Sequence, residues 1–236
     1  MAAEASSYLF PPRAPVALPI RGQAAVFPMR RVYCVGRNYA AHAREMGHDP
    51  DREPPFFFQK NPDDLNLTGR FPYPSLSRDV HFEIELVAAL GPSLANNAGP
   101  VAAADAMKHV WGYAVGLDMT RRDLQGQMKK AGRPWEIGKA FAASAPIGPL
   151  VSASEIGHPT AGAVTLDVNG ERRQEGDLSE LIWSIPEIIE HLSALFVLAP
   201  GDVIFTGTPA GVGPIARGDR MVGRVEGVGQ LEVTVV

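Results

Sequence analysis

Apolar and polar positions alternate in short runs along this chain, the pattern of half-buried strands rather than of long helices. Residues 31–35 (RVYCV) read as a buried strand halted by Gly36, and residues 55–60 as an aromatic strand. HFEIELVAALG (81–91) alternates strictly at its start, with Phe82, Ile84 and Leu86 on one face and Glu83 and Glu85 on the other. A strand follows over 111–118. AVTLDVNGERRQEG (163–176) alternates across an Asn-Gly pair, the strongest short hairpin signal. DVIFTGTPAGVG reads as strand then glycine loop, and LEVTVV closes the chain as a strand.

Helical signals are few. Asn38 is placed to cap a helix over 39–46, ended by Gly47. A second is expected over 102–109 after Pro100, and a third follows Thr120 as its cap and stops at Gly132. Pro186 opens a fourth, with Ile188, Ile189, Leu192 and Leu195 toward the core. Residues 49–76 read as a long loop around the aromatic strand. Prolines at 11, 12, 15, 19 and 28 make residues 1–30 an extended arm with at most a short strand, ahead of a body over 31–236. With no repeat, linker or βαβ alternation, the sum is a β-rich α+β fold with a few short helices.

Composition narrows the classes. The 236 residues suffice for a buried core, and the formal net charge of −4 gives no case for nucleic acid or an anionic membrane. The single cysteine, Cys34, excludes an intramolecular disulfide and suits a reducing cytoplasm. Prolines break the apolar stretch of the first twenty residues, against a signal peptide, and no apolar run approaches a spanning helix.

Glu83 and Glu85 leave one strand face about 6.6–6.8 Å apart along the backbone, and a divalent cation between them would cancel their repulsion. An exposed, merely solubilising strand face is the competing reading. Asp118 ends an apolar strand, where it would serve as a metal ligand or as a turn-former. Three all-oxygen ligands suit Mg2+ or Mn2+ rather than zinc. Spacing alone leaves open whether Asp118 meets the other two.

His42 and Glu45 stand at i and i+3 of the predicted helix, as a base with its orienting carboxylate or as an exposed ion pair. Arg122 and Gln125 share the same spacing directly after Asp118, while Arg121 should point to solvent. Lys139, flanked by small and apolar residues, would stabilise developing oxygen charge or snorkel to the surface. His48, His81, His109, His158 and His191 read as caps or surface residues. TGTPAGVG lacks the lysine and spacing of a phosphate loop.

Five blocks in order, VYCVGRNYAAHAREMG, HFEIELVAALG, GYAVGLDMTRRDLQ, GKAF and GDVIFTGTPAGVG, resemble the fumarylacetoacetate hydrolase family from about residue 31 to the C-terminus. The likeness is nearest to its small bacterial fumarylpyruvate hydrolases and acylpyruvases. It implies a β-roll of stacked sheets, a homodimer and one Mg2+ or Mn2+ per subunit held by Glu83, Glu85 and Asp118. It further implies His42 and Glu45 as the pair that activates water, and Lys139 beside the metal. Arg37, Lys60, Arg122, Gln125 and Thr208 would hold the substrate. The chain departs from many relatives at Lys60-Asn61, where they carry Lys-Pro, and in the DDLNLTG that follows.

The implied reaction is hydrolysis of a carbon–carbon bond in a small acylpyruvate, foremost fumarylpyruvate to fumarate and pyruvate. The same site would also serve oxaloacetate decarboxylation, or isomerisation or decarboxylation of a dienedioate. A non-catalytic, metal-dependent oxo-acid binding protein is the alternative of another class.

Overall fold

In a computed structural model, the structure describes residues 8–40, 53–95 and 99–236. Two mixed sheets stack face to face. The first has six strands, in the order Val151–Ser152, Val110–Leu117, Ile84–Leu90, Val203–Phe205, Val32–Gly36 and Phe56–Lys60. The second has five: Glu171–Asp177, Ala163–Val168, Arg220–Val225, Gly229–Val235 and Arg70–Phe71. The strand-rich, helix-poor architecture is the one the period-two pattern implies.

Strand alternation gives the six-stranded sheet two apolar faces. Tyr33, Ile84, Leu86, Tyr113 and Val115 face the five-stranded sheet and its Leu166, Met221 and Val233. Val32, Cys34, Val87, Ala114 and Phe205 face the other way, onto Leu18, Phe27 and Ile147. Burial on both sides explains why these strands read as near-continuous apolar runs. The proline-rich start contributes two short strands, Ala17–Pro19 and Val26–Pro28, paired with each other and closing that second layer.

The Asn169-Gly170 hairpin forms as read, with both turn residues at positive φ. Other expectations need correction. Thr120 does not cap the next helix: it lies in a two-residue strand opposite His81, and the helix is Arg122–Lys130. Leu195, at the end of the Ile185–Leu195 helix, is 66% exposed; the core face is Ile188, Ile189 and Leu192. The stretch read as loop holds short strands at Leu65–Asn66 and Arg70–Phe71. Arg121 is half-buried, its guanidinium 4.3 Å from the centroid of Phe141. The helix expected over 39–46 lies almost wholly outside the described residues. Its intended cap, Asn38, is fully buried and bonds to Trp183 and Thr206. Among the described residues no helix is long and apolar enough to cross a membrane.

Candidate metal centre and active site

The strand read as continuous through residues 81–90 parts at Glu83. Val80–Phe82 pairs with Thr120–Arg121 and Gly213–Pro214, whereas Ile84–Leu90 joins the large sheet. At the break, Ile84 N donates 3.0 Å to the side-chain Oε1 of Gln174, and Asp118 N donates 2.9 Å to Glu83 O. Phe82, Ile84 and Leu86 stay in the core, so Glu83 and Glu85 are turned away from it together. Oxygens of Glu83, Glu85 and Asp118 come within 4.8 Å of one another, and all three side chains are buried.

Lysine and arginine hold this acidic group. Lys139 Nζ donates to Glu83 Oε2 at 2.8 Å, Asp118 Oδ2 at 2.7 Å and Thr120 Oγ1 at 2.7 Å. Arg122 reaches Glu83 Oε1 with one nitrogen and Gln125 Oε1, at 3.1 Å, with another. Burial alone would lower the Lys139 ammonium, but the Asp118 and Glu83 carboxylates outweigh it and hold it above its ordinary value. Lys139 arrives from a short helix, Glu136–Lys139, laid against the Arg122–Lys130 helix. Gly138 permits that approach: a Cβ there would stand 2.7 Å from Gln125 Cβ and 2.8 Å from Gln125 N.

Lys60 serves beneath the site. Its ammonium is buried, 2.8 Å from Asp118 Oδ1, and donates to Met119 O, Lys139 O and Ser144 Oγ. It does not line the pocket above the carboxylates. The resemblance implied a substrate contact for Lys60; here its ammonium is turned to the protein.

Two observations fit a divalent cation among these oxygens. Glu83, Glu85 and Asp118 bring buried carboxylate oxygens within 4.8 Å of one another, like charges that a cation between them would neutralise. Burial first, then the charges of Asp118 and Glu83, push the Glu85 carboxyl well above the usual range; its bond from Gly207 N at 2.8 Å opposes this only in part. A hard cation held by these oxygens would remove the repulsion on Glu85, and an all-oxygen donor set matches Mg2+ or Mn2+.

The pocket brings together Glu83, Glu85, Lys139, Arg122, Gln125 and Thr208, with Arg37, Phe58, Lys129 and Trp135 around them. Thr208 stands on the glycine loop after Val203–Phe205, its Oγ1 accepting 2.8 Å from Gln174 Nε2. His42 and Glu45 lie outside the described residues, as does His48. His81 pairs with Asp79, His109 with Ser93 and His158 with the buried Tyr113 hydroxyl, while His191 packs against Trp183. Sequence reading missed Thr120, Gln174, Lys129 and Trp135. Gln174 stands among polar hairpin residues, and only the fold shows it to be fully buried. Lys129 did carry a signal, lying four positions after Gln125 on one helix face.

A family model, fumarylacetoacetate (FAA) hydrolase C-terminal, matches residues 31–236. Fumarylpyruvate hydrolase from Pseudomonas aeruginosa, solved in complex with Mn2+ and pyruvate, is 56% identical with a TM-score of 0.92, covering 98% of this chain and 99% of that one. The oxaloacetate tautomerase YcgM of Escherichia coli is 39% identical over 208 residues, 88% of this chain and 93% of its own. The 5-carboxymethyl-2-hydroxymuconate delta-isomerase of Mycobacterium smegmatis is 37% identical with a TM-score of 0.75, over 90% of this chain and 80% of that one.

Proposed function

The chain belongs to the fumarylacetoacetate hydrolase family, and from that premise we propose that it is a metal-dependent acylpyruvate hydrolase whose substrate is fumarylpyruvate. One observation carries the reading: three buried carboxylates within 4.8 Å of one another, faced by the Lys139 ammonium at the floor of a pocket. The likeness to a fumarylpyruvate hydrolase over nearly the whole chain supports the choice of substrate.

In this proposal Glu83, Glu85 and Asp118 hold Mg2+ or Mn2+. When bound, the ion supplies Lewis acidity at the substrate's 2-oxo acid end. Arg122 and Gln125, already hydrogen-bonded to each other, grip the acid group through a guanidinium edge and an amide. His42, oriented by Glu45, takes a proton from water, whose oxygen adds to the distal keto carbon. The bond from that carbon to the pyruvyl methylene breaks, and its electron pair stays with the pyruvyl fragment. That fragment takes up the proton and leaves as pyruvate, and the acyl part leaves as fumarate. Lys139 stabilises the negative oxygen as charge develops, and its fixed bonds to Thr120 and Asp118 make it preorganised for that task. The reading includes a homodimer in the cytoplasm, acting in aromatic-acid breakdown.

A second reading is keto–enol interconversion of oxaloacetate at the same floor, which the relationship to the Escherichia coli tautomerase favours. It needs Lys139 and the carboxylates but no attacking water. Loss of fumarylpyruvate absorbance with purified protein, followed with Mg2+ and again with EDTA, separates the two. Rapid, metal-dependent loss yielding fumarate and pyruvate is the expected result. Inertness toward fumarylpyruvate, with rapid ketonisation of enol-oxaloacetate, would replace the first reading by the second.

A further inference from the structure

Burial divides the pocket into a floor and a mouth. Glu83, Glu85, Gln125, Lys139 and Thr208 are buried, whereas Arg37, Phe58, Lys129 and Trp135 are half-buried and line the same space. Under the hydrolase reading, on which this inference rests, the 2-oxo acid end occupies the floor. The acyl arm must then run out past the mouth.

The mouth is both aromatic and cationic. Trp135 and Phe56 pack as tilted rings with centroids 4.7 Å apart, and Phe58 joins them at 6.2 Å from Trp135. Arg37 adopts a left-handed backbone, φ 61°, a conformation that costs an ordinary residue on the order of 1 kcal/mol. That conformation lays its guanidinium over the rings, 5.8 Å from the Trp135 centroid and 6.0 Å from that of Phe56. A guanidinium spread on aromatic faces keeps its N–H edge directed sideways, the geometry for paired bonds to a carboxylate. Lys129 projects from the helix that carries Arg122 and Gln125, at i+7 and i+4 from them, and so shares their face. Burial, and then the charges of Arg37 and Arg122, lower its ammonium from the ordinary value, so the cations at this mouth feel one another. Arg122 is drawn down to Glu83 and the floor, while Arg37 and Lys129 line the space above it.

We propose that Arg37 and Lys129, with Trp135 as a flat wall, form a second anion site that holds the terminal carboxylate of the acyl arm. The site selects planar, dicarboxylic acylpyruvates over those ending in an uncharged acyl group. A carboxylate fits better than a phosphate here, because one guanidinium edge and one ammonium beside the flat face of a single indole match a planar, conjugated acid.

Two measurements on the Mn2+-loaded protein test this. The first compares kcat/KM for fumarylpyruvate and for acetylpyruvate, which lacks the distal carboxylate, in the wild type and in Lys129→Met and Arg37→Met. Each substitution is expected to lower the value for fumarylpyruvate about 10–100-fold, mainly through KM, with a much smaller loss on acetylpyruvate, so that the ratio collapses. Equal losses on both substrates, or no loss on fumarylpyruvate, would overturn the assignment. The second needs no turnover: calorimetric titration of fumarate and of crotonate into protein already loaded with Mn2+ and pyruvate. Tighter binding of fumarate, lost in Lys129→Met, supports the site. Equal binding of the two acids removes it, whatever the hydrolysis assay gives. Fumarate selectivity without hydrolysis of either acylpyruvate would keep the site and reject the hydrolase.

Discussion

The side-chain amide of Gln174 donates to Thr208 Oγ1 at 2.8 Å while its carbonyl accepts from Ile84 N at 3.0 Å. One buried hairpin residue thus fixes both the glycine loop and the strand break between Glu83 and Glu85. Replacing it by leucine leaves the Ile84 N–H buried without its partner, at about 1–3 kcal/mol for that group alone. Urea unfolding of Gln174→Leu should therefore show a loss of about 2–4 kcal/mol with an unchanged m-value. Mn2+ affinity should weaken as well, because Ile84 sets the spacing of the two glutamates. Wild-type affinity and stability in the variant would refute this positioning role.

Metal should stabilise the protein directly. An ion that binds only the folded chain adds RT ln(1 + [L]/Kd), about 2.7 kcal/mol at a hundredfold excess over Kd. Thermal unfolding should shift upward on adding Mn2+ or Mg2+ after EDTA treatment and return on re-chelation. Glu85→Gln keeps the side chain's shape but gives up a charged ligand, and should lose most of the shift. A transition that ignores both metals would remove the proposed centre.

The two buried lysines should fail differently. Lys60→Met leaves Asp118 facing the core without that ammonium and frees two carbonyls, a broken buried pair that costs about 3–5 kcal/mol. Its expected phenotype is poor folding. Lys139→Met is expected to fold when Mn2+ is present, and to lose about 10²–10³ in kcat through the missing electrostatic stabilisation. Circular dichroism and turnover, measured on both variants, separate these outcomes; a stable, fully active Lys60→Met would contradict the buried role drawn for it.

Gly138→Ala probes how tightly Lys139 is placed. The added methyl would meet Gln125 backbone at 2.8 Å, so the Glu136–Lys139 turn must retreat. Overpacking of this kind costs about 1–3 kcal/mol. Turnover should fall more steeply than stability does, since Lys139 moves with the turn. An unchanged kcat would mean the turn has slack that its packing does not suggest.

Much of the site was legible because its chemistry is written in short spacings. Glu83 and Glu85 on one face opposite Phe82, Ile84 and Leu86 follow from the strand period, and the Asn169-Gly170 turn from backbone preference. The meeting of Asp118 with the glutamates was carried by the family resemblance, since no local rule joins two strand ends. Lys60 shows the converse. Its position after an aromatic strand says nothing of which way a long side chain turns, and burial against Asp118 is decided by three segments distant in sequence. Thr120 misled for a similar reason: a residue that favours helix caps was drawn into a strand, where its hydroxyl meets Lys139. Gln174 had no local signature at all, because a lone buried glutamine in a polar strand differs from its neighbours only in what covers it.

Asn38 ties three stretches of chain into a knot: its amide donates to Trp183 O and Thr206 O, and its carbonyl accepts from Trp183 N. It stands four positions ahead of His42 in the sequence. Whatever path the chain takes beyond Ala40, it departs from a riveted point, clamped to the backbone just before the Gly207 and Thr208 that touch Glu85 and Gln174. The glycine loop is thereby anchored at its base, so that a change at Asn38 would be passed through Thr206 and Gly207 to the Glu85 carboxylate.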